Sequence, residues 1–370
     1  MNLHLQGLPD ARKLLAELPA GPQLTEKQCF EGQVFQDALV YAEFRDCTFR
    51  NCTWNASLNK VRFVRCRFEN LLWTDSSQCD VSWEDCQITH TKWLNYKVLR
   101  PLFSRCEIGN CALEGCDLDF ATLSHTAWRD TVFLHSRLVQ WVASSGSLRG
   151  VKFQGGALHD VTWADCQLHG ISMQDMEMVR VTCAQSECAQ LLVEDCKGKG
   201  NRWVACTLEQ AYFVRLQFAQ CAWSQSQWST GAFVECVLPH VTYDGSQLKE
   251  VHWQGNTHCT APLFDEAVLQ GCSLHGTQMP GMSLRRAQLN DVDLGELYAP
   301  GLDARGAQLN RVHMGGGDFS RADLTGQAEK QWLGARLAGA RFHEDAELND
   351  VQWWARFAPG PQKKEQGNAA

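Results

Sequence analysis

The sequence predicts an all-β solenoid, a coil of short strands whose side chains fill its own interior. Between Phe63 and Trp253, 37 of the 39 positions spaced five residues apart are apolar, and only Gln78 and Gly198 break the run. A second position, two residues before each of these, is mostly small or β-branched, as at Cys66. No helix, with its period of 3.6, and no simple strand, with its period of two, produces this pattern.

Two inward positions in every five residues predict the local geometry. Each pentapeptide should cross one short edge and then turn a corner, so that four of them close a square coil of about twenty residues. Successive coils are expected to stack through backbone hydrogen bonds, about 4.8 Å apart. Residues twenty apart should therefore lie above one another in columns.

Three interruptions shift the register of the repeat. The pattern loses one residue within 55–60, gains one between His258 and Phe264, and breaks over 325–333 before an irregular continuation. None of them ends the repeat, and a solenoid is one continuous array. We therefore predict a single repeat domain over 29–357.

The two ends of the chain do not carry the repeat. Within the N-terminal segment 1–28, three leucines fall on one side of residues 10–18, which predicts a short helix. Such a helix would cap the first coil, because each coil touches only its neighbours and the ends need covering. The tail 358–370 is polar and rich in Gly, Gln and Lys, and it is expected to be disordered.

Several short runs in this sequence resemble the A(D/N)LXX unit of the pentapeptide-repeat family. They are Ala121-Thr122-Leu123, Ala287-Gln288-Leu289, Ala307-Gln308-Leu309 and Ala322-Asp323-Leu324. The resemblance extends over about 29–353 and implies a right-handed quadrilateral β-helix. This chain departs from the family pattern by using Trp, Phe and Cys in many places where the family uses Leu and Ala.

Eighteen cysteines suggest disulfides or metal ligands, but their positions favour another role. Thirteen of them fall on the small inward position, and Cys66, Cys86 and Cys106, twenty residues apart, should form a column. A small hydrophobic side chain that fills the corner explains this spacing. A metal site or a disulfide is the alternative, although a straight column does not converge on a tetrahedral ion. We expect no metal and no cofactor.

Composition and motifs point away from several functional classes. The 34 basic and 42 acidic residues leave a net charge of −8, whereas nucleic-acid binding usually requires a basic face. The N-terminus lacks the features of a signal peptide, and no apolar run is long enough to span a membrane, so we expect a cytoplasmic protein. No phosphate loop, nucleophile elbow or paired-histidine motif is present, and we expect no enzymatic activity.

Two aromatic residues occupy the small inward position, where a ring does not fit the pattern. Trp141 and Tyr96 must either swing outward or force the interior to change shape. An outward ring on a rigid wall would be an interface anchor. Irregularities of this kind are often functional, and both residues are candidates for protein binding.

A polar group of candidates surrounds a coil of low side-chain volume, which contains Cys183, Cys188, Val193 and Gly198. The stretch 197–202 is basic and glycine-rich, so we predict a loop that leaves the wall. The candidates for protein binding on this part of the chain are Asp175, Asp195, Lys199 and Arg202. Asp175 and Asp195 should stack as like charges, which Arg215 in the same column would offset, while Glu177 should lie beneath Lys197.

The function expected of such a wall is protein binding. The Trp- and Cys-rich members that this chain resembles are associated with effectors of bacterial type VI secretion, which implies an immunity protein that binds a secreted toxin such as a nuclease. An adaptor that loads an effector is the second interpretation. A third is a DNA mimic that binds a topoisomerase, as the resemblance to quinolone-resistance members implies, although a mimic should be more densely acidic. We expect no direct contact with nucleic acid or membrane.

Overall fold

The chain forms an all-β solenoid in the computed structural model, which describes residues 22–342. The predicted capping helix at 10–18 and the tail 358–370 lie outside the described residues. The strands pair in parallel and make about 14 turns in all. The chain divides into two compact units, Met1–Ala157 and Leu158–Ala370. Among the described residues, no helix is long and apolar enough to cross a membrane.

The strands of the N-terminal unit are mostly three residues long. They are Gln23–Glu26, Cys29–Glu31, Val34–Phe35, Leu39–Val40, Ala42–Arg45, Thr48–Arg50, Thr53–Trp54, Leu58–Asn59, Arg62–Val64, Arg67–Glu69, Leu72–Thr74, Ser77–Cys79, Ser82–Glu84, Gln87–Thr89, Lys92–Leu94, Lys97–Leu99, Leu102–Ser104, Glu107–Gly109, Ala112–Glu114, Asp117–Asp119, Thr122–Ser124, Ala127–Arg129, Val132–Leu134, Arg137–Val139, Val142–Ser144, Ser147–Arg149 and Lys152–His159, whose last two residues belong to the second unit.

The C-terminal unit alternates three-residue strands with longer ones that continue around a corner. Its strands are Thr162–Ala164, Gln167–His169, Ser172–Val179, Thr182–Ala184, Glu187–Ala189, Leu192–Glu194, Lys197–Lys199, Arg202–Val204, Thr207–Val214, Gln217–Ala219, Gln227–Val234, Gln247–Gln254, Val268–Gln270, Gln288–Asn290 and Gln308–Asn310. Isolated bridges replace strands on the remaining edges, and a 3-10 helix follows at Glu329–Trp332.

Pairing between coils confirms the predicted columns. Trp73 pairs with Trp93 and Ile88 pairs with Ile108, in both cases twenty residues apart. The residue at each corner has a positive φ, such as 54° at Asp80. Because this left-handed conformation is costly for most L-residues but tolerated by Asn, Asp and Gly, those residues are frequent at the corners.

The predicted loss of one residue from the repeat within 55–60 is confirmed. The predicted gain of one residue lies at a different place in the chain. Pairs nineteen apart, such as Thr53 with Leu72, give way to pairs twenty apart at Leu58 and Gln78. The gain lies between Trp253 and Cys259, because Val237 pairs with His258 at a distance of 21 residues. The expected position between His258 and Phe264 is therefore wrong. Cys259 is fully buried on the main inward position, although its side chain is as small as those that usually occupy the small inward position.

Stacked aromatic rings account for the unusual composition of the core. In the N-terminal unit, Trp83 lies over Phe103 with ring centroids 4.5 Å apart and planes 5° apart. In the C-terminal unit, Trp203 lies over Trp223 at 5.0 Å and 1°. Rings of one column are separated by nearly the strand spacing, so they stack without disturbing the backbone hydrogen bonds.

The column of cysteines fills the corner, as the sequence favours. The buried thiols of Cys66, Cys86 and Cys106 each donate to a backbone carbonyl oxygen of the preceding coil, with sulfur–oxygen distances of 3.3 Å. Burial raises the pKa of another of these thiols, Cys111, to about 11, which keeps it protonated. Within residues 22–342, no group of three His, Cys, Asp or Glu side chains is arranged to hold a metal ion.

Salt bridges repeat along the corners of both units, each between a carboxylate and an arginine on the next coil. They are Asp46–Arg65, Asp80–Arg100, Asp85–Arg105, Asp160–Arg180, Asp195–Arg215, Glu266–Arg286 and Asp291–Arg311. The acidic residue always comes first in the sequence. Each pair is exposed and individually weak, but together the pairs hold the corner side chains in place. The prediction that Arg215 offsets the negative charge of Asp195 is confirmed.

The C-terminal unit also has salt bridges on buried carboxylates, at Asp303 and Asp323. Asp303 has no solvent exposure and accepts hydrogen bonds from Arg285 and Arg305, with nitrogen–oxygen distances of 2.6 Å. Burial raises the pKa of Asp303, but the hydrogen bonds from the two arginines outweigh it and hold that pKa below its ordinary value. The carboxylate is therefore charged in the folded protein, where it neutralises two cations.

Asp303→Asn is expected to lower the free energy of unfolding by about 2 kcal/mol at neutral pH, because two arginines lose their counter-ion. A depressed carboxyl pKa stabilises the folded state above the ordinary pKa of about 3.9, and this contribution is lost as the pH falls through the folded-state pKa. Urea denaturation at several pH values should show the largest difference between variant and wild type near neutrality. A difference that grows in acid would contradict this, and Asp291→Asn at an exposed corner is the control.

Candidate protein-binding site

Trp141 does not reach the surface. Its side chain is 1% exposed and meets Trp128 edge to face, with ring centroids 6.2 Å apart. The expectation of an outward anchor is wrong because the coil has exchanged large and small residues. The neighbouring inward position holds Ala143, where the coils before it hold Phe103 and Leu123, and the indole occupies the volume that Ala143 leaves. The interior has therefore changed shape to hold the ring, which is the other possibility that the sequence allows.

Tyr96 is also buried, at 3% exposure, and cannot anchor a partner. Its hydroxyl donates to the Oε1 atom of Gln78, and its ring meets Trp73 edge to face at 6.1 Å. Gln78 is one of the two residues that break the apolar run. The two irregularities therefore explain each other, since a buried hydroxyl needs an acceptor.

The stretch 197–202 stays in the wall. Lys197–Lys199 forms a strand that pairs with Glu177–Val179 on one side and Gln217–Ala219 on the other. The predicted loop is therefore wrong. Gly198 allows this close strand pairing, because a Cβ atom at this position would lie 1.7 Å from the carbonyl oxygen of Met178.

Buried polar contacts also hold this stretch against the preceding coil. The side chain of Asn201 is buried, donates to the carbonyl oxygen of Met178 at 3.1 Å and accepts from the backbone N–H of Val181 at 3.0 Å. The coil is thin but ordered, and the Sγ atoms of Cys183 and Cys188 are 3.6 Å apart within it. The side chains that leave this stretch are therefore held by a fixed backbone.

The predicted acidic residues lie on one corner of the C-terminal unit, on successive coils. Asp195 accepts two hydrogen bonds of 2.7 Å from Arg215, which lower the pKa of Asp195. Arg215 also contacts Glu194, whose other oxygen accepts from Gln174 at 2.8 Å. Within the described chain the carboxylate of Asp175 has neither a hydrogen bond nor an ion pair, so its charge is available to a partner.

The predicted basic residues, Lys199 and Arg202, lie on either side of the corner that follows Asp195 in the chain. Lys199 and Arg202 are exposed and line a shallow depression together with Arg180. Gly200 turns the corner between them with φ of +68° and contributes no side chain. Arg180 is paired with Asp160, whereas Lys199 and Arg202 have no carboxylate partner among residues 22–342. Two cations are thus presented together.

The exposed aromatic residues are ones that were not predicted. Tyr212 is 42% exposed and pairs in register with Leu192, next to the half-buried Val214. In the N-terminal unit, Phe120 is 49% exposed and lies on a corner with φ of +59°. A register that places an aromatic residue on an outward position could have identified both. Both predicted rings, by contrast, are on inward positions.

These features define a parallel β-solenoid with a packed interior, in which the wall carries the groups available to a partner. The model of the pentapeptide-repeat family, "Pentapeptide repeats", matches residues 263–296 and 287–326 with eight copies. This match supports pentapeptide repeats over residues 263–326. It falls where the core is richest in Leu and Ala, which explains why the Trp- and Cys-rich coils are not included.

Solved structures match this chain at low similarity. HetL, a pentapeptide repeat protein involved in heterocyst differentiation regulation from the cyanobacterium Nostoc sp. strain PCC 7120, is 17% identical over 58% of this chain and 88% of its own, with a TM-score of 0.24. Trypsin-treated QnrB1, a plasmid-mediated fluoroquinolone resistance protein, is 13% identical over 45% and 83%, with a TM-score of 0.34. A PL6 alginate lyase is 7% identical over 91% and 93%, with a TM-score of 0.21. These likenesses are too distant to carry a functional argument, and no curated protein matches the sequence significantly.

Proposed function

We propose that this chain is a non-catalytic protein-binding solenoid that acts as an immunity protein. Its partner is a secreted bacterial toxin, in particular a nuclease effector of type VI secretion. The docking site is the wall of the C-terminal unit around Asp175, Lys199 and Arg202, with Asp195 held beside it by Arg215. Tyr96 and Trp141 are left out of this site because both side chains are buried.

Unpaired charges on a rigid support are the observation that carries the proposal. Most corner carboxylates and arginines of this chain neutralise each other, but Asp175, Lys199 and Arg202 remain exposed without an ion pair within residues 22–342. A paired strand fixes the backbone of Lys199, so little backbone entropy is lost when a partner binds. Complementary charges raise the association rate and select the partner.

The overall charge of the C-terminal unit supports a nuclease as the partner. Residues 22–157 contain 15 basic and 15 acidic residues, whereas residues 158–342 contain 14 basic and 20 acidic ones. The acidic excess of the chain therefore falls on the unit with the proposed site. A nuclease carries a basic face for the phosphates of its substrate, and such a face is attracted to the acidic surface of this unit as a whole, while Lys199 and Arg202 contact carboxylates of the partner beside that face.

Replacing both Lys199 and Arg202 with Glu is expected to reduce capture of the partner at least about tenfold, because two complementary contacts become repulsive. The tagged protein would be incubated with native lysate of the producing cells, and the captured proteins quantified by mass spectrometry. Lys92→Glu combined with Arg129→Glu is the matched control, since it changes the charge equally on exposed residues of the N-terminal unit.

The identity of the captured protein separates the candidate functions. Co-expression of a captured toxin with the wild-type chain should restore growth, and co-expression with the Lys199/Arg202 double variant should not. Recovery of a secretion spike, without rescue from toxicity, would instead support the adaptor. Inhibition of gyrase supercoiling by the purified chain would support the DNA mimic. If the wild type and the Lys199/Arg202 double variant capture the same amount of partner, the proposed site is wrong.

A further inference from the structure

We propose that the depression between Lys199 and Arg202 binds the phosphate group of a small organic phosphate monoester. This phosphate depression is lined by Lys199, Gly200 and Arg202 and by residues of the neighbouring coils of the C-terminal unit. It is part of the surface proposed above for the toxin, so the ester and the toxin would exclude each other. Binding of the ester requires only the isolated chain and does not depend on the identity of the partner.

The depression forms because Gly200 contributes no side chain at its corner. The exposed Lys199 and Arg202 flank this corner. Arg180 lies beneath it on the preceding coil, with its Cγ atom 3.5 Å from the place that a Cβ atom of Gly200 would take. Three cationic side chains therefore border one open space. Its volume is about 750 Å³, which accommodates a phosphate group together with the organic group that carries it.

The side chains that line the depression can donate hydrogen bonds, with Asp160 as the exception. Thr162, Thr182 and Arg202 pair in register on adjacent strands, so two hydroxyl groups form a column beneath Arg202. Within residues 22–342, neither hydroxyl makes a hydrogen bond to another group of the chain. An oxoanion with several acceptor oxygens would therefore meet donors that the fold leaves unused.

The charge of the depression matches a dianion. Asp160 accepts hydrogen bonds from Nε and Nη2 of Arg180, the second at 2.7 Å, so these two residues neutralise each other. Lys199 and Arg202 remain, which leaves two positive charges from three cations and one carboxylate. A phosphate monoester carries a charge of about −1.5 to −2 near neutral pH, and the fork of an arginine binds two of its oxygens. A single carboxylate or phosphodiester group would neutralise only half of the positive charge.

An uncharged surface beside the depression favours an organic ester. Ala164, Ala184 and Val204 lie on the same three strands, two residues after Thr162, Thr182 and Arg202, and all three are half-buried. They form an apolar shelf on which the organic group can lie while the phosphate contacts the cations. Burial of that group against the shelf would add to the affinity.

Calorimetric titration of the purified chain with phenyl phosphate at about pH 7.5 tests the proposal. The ester is expected to bind, and its affinity should fall about tenfold at about pH 5, because its second pKa is about 6 and most of it is then a monoanion. Lysine and arginine keep their charges over this range. Benzoate, which carries the same ring on a carboxylate, should bind about tenfold more weakly than phenyl phosphate at about pH 7.5.

Two further probes separate the possible sources of phosphate. Inorganic phosphate should bind more weakly than phenyl phosphate because it makes no contact with the apolar shelf. An oligodeoxynucleotide without terminal phosphates should also bind more weakly, because each phosphodiester has a single charge. If inorganic phosphate binds as tightly as phenyl phosphate, the site is one for the free ion and the proposed ester is wrong. Tighter binding of the oligodeoxynucleotide would assign the depression to a nucleic-acid backbone and overturn the proposal.

Substitutions in the depression give the structural test. Lys199→Gln and Arg202→Gln should each weaken binding of phenyl phosphate about tenfold, because each removes a charged donor. Thr182→Val keeps the shape of the side chain and should weaken binding about threefold by removing one hydroxyl. Lys249→Gln is the matched control, since it removes an exposed lysine from the same unit, and it should leave the affinity unchanged. Thermal unfolding would confirm that each variant is folded.

The proposal is wrong if phenyl phosphate does not bind, if benzoate binds equally well, or if the depression variants bind phenyl phosphate as the wild type does. Its failure is distinct from that of the toxin proposal, because no partner is present in these titrations. A chain that binds the ester but captures no toxin would support this site and contradict the immunity function. A chain that captures the toxin and does not bind the ester would contradict this inference alone.

Discussion

Gly198→Ala is expected to lower the free energy of unfolding by about 5 kcal/mol, at the upper end of single substitutions. A Cβ atom at this position would lie 1.7 Å from the carbonyl oxygen and 2.6 Å from the carbonyl carbon of Met178. Backbone pairs with Met178 and Phe218 hold Gly198 from both sides, so the strand cannot move away without breaking its hydrogen bonds. The φ of +156° adds to the cost.

Chemical denaturation measures this loss, and hydrogen exchange should show it first in the coils around Lys197–Lys199. Gly200→Ala is the matched control two residues away. Its φ of +68° is strained for alanine, but the nearest atom to the new Cβ would be the flexible Cγ of Arg180 at 3.5 Å. The control should cost only about 1 kcal/mol. Equal losses for the two variants would show that the close approach to Met178 does not matter.

Trp141→Ala is expected to cost about 3–5 kcal/mol, because it opens a cavity that the neighbouring Ala143 cannot fill. The indole is 1% exposed and lies against Trp128 and Phe133. Both contacts and the buried apolar area would be lost together. Partner binding by the folded variant should be unchanged, since the ring does not reach the wall.

Denaturation of Trp141→Ala beside Val142→Ala would test this expectation. Val142 is the next residue, but its side chain points outward and is exposed, so its loss should change the free energy of unfolding little. A Trp141 variant that keeps its stability and loses its partner would place the ring at an interface and contradict the burial described above.

Most of the fold could be predicted because the repeat imposes the same geometry on every pentapeptide. The columns, the position of the cysteines and the loss of a residue before Leu58 all follow from counting in fives and twenties. The gain near Cys259 was displaced because a small buried residue fits either inward position. Counting identifies the position of a side chain, and it does not measure the volume available to it.

The candidate site was predicted in part for the same reason. The register brings Asp175, Asp195 and Arg215 into one column, and only the Asp195–Arg215 pair follows from charge alone. Trp141 and Tyr96 are candidates for the surface, with a reshaped interior as the alternative, because their size violates the pattern of their own positions. Their burial depends on the small size of Ala143, two residues after Trp141, and on the side chain of Gln78 in the coil before Tyr96.

By itself, the sequence determined the coil, its parallel columns and which positions point inward, because a period of five constrains the backbone wherever it occurs. Tertiary structure alone decided how irregular residues are accommodated and which charges remain unpaired. The physical reason is that packing and ion pairing depend on pairs of coils. The acceptor for Tyr96 and the isolation of Asp175 are set by neighbours about twenty residues away, and the space for Trp141 is set by Ala143 beside it and Trp128 in the wall around it.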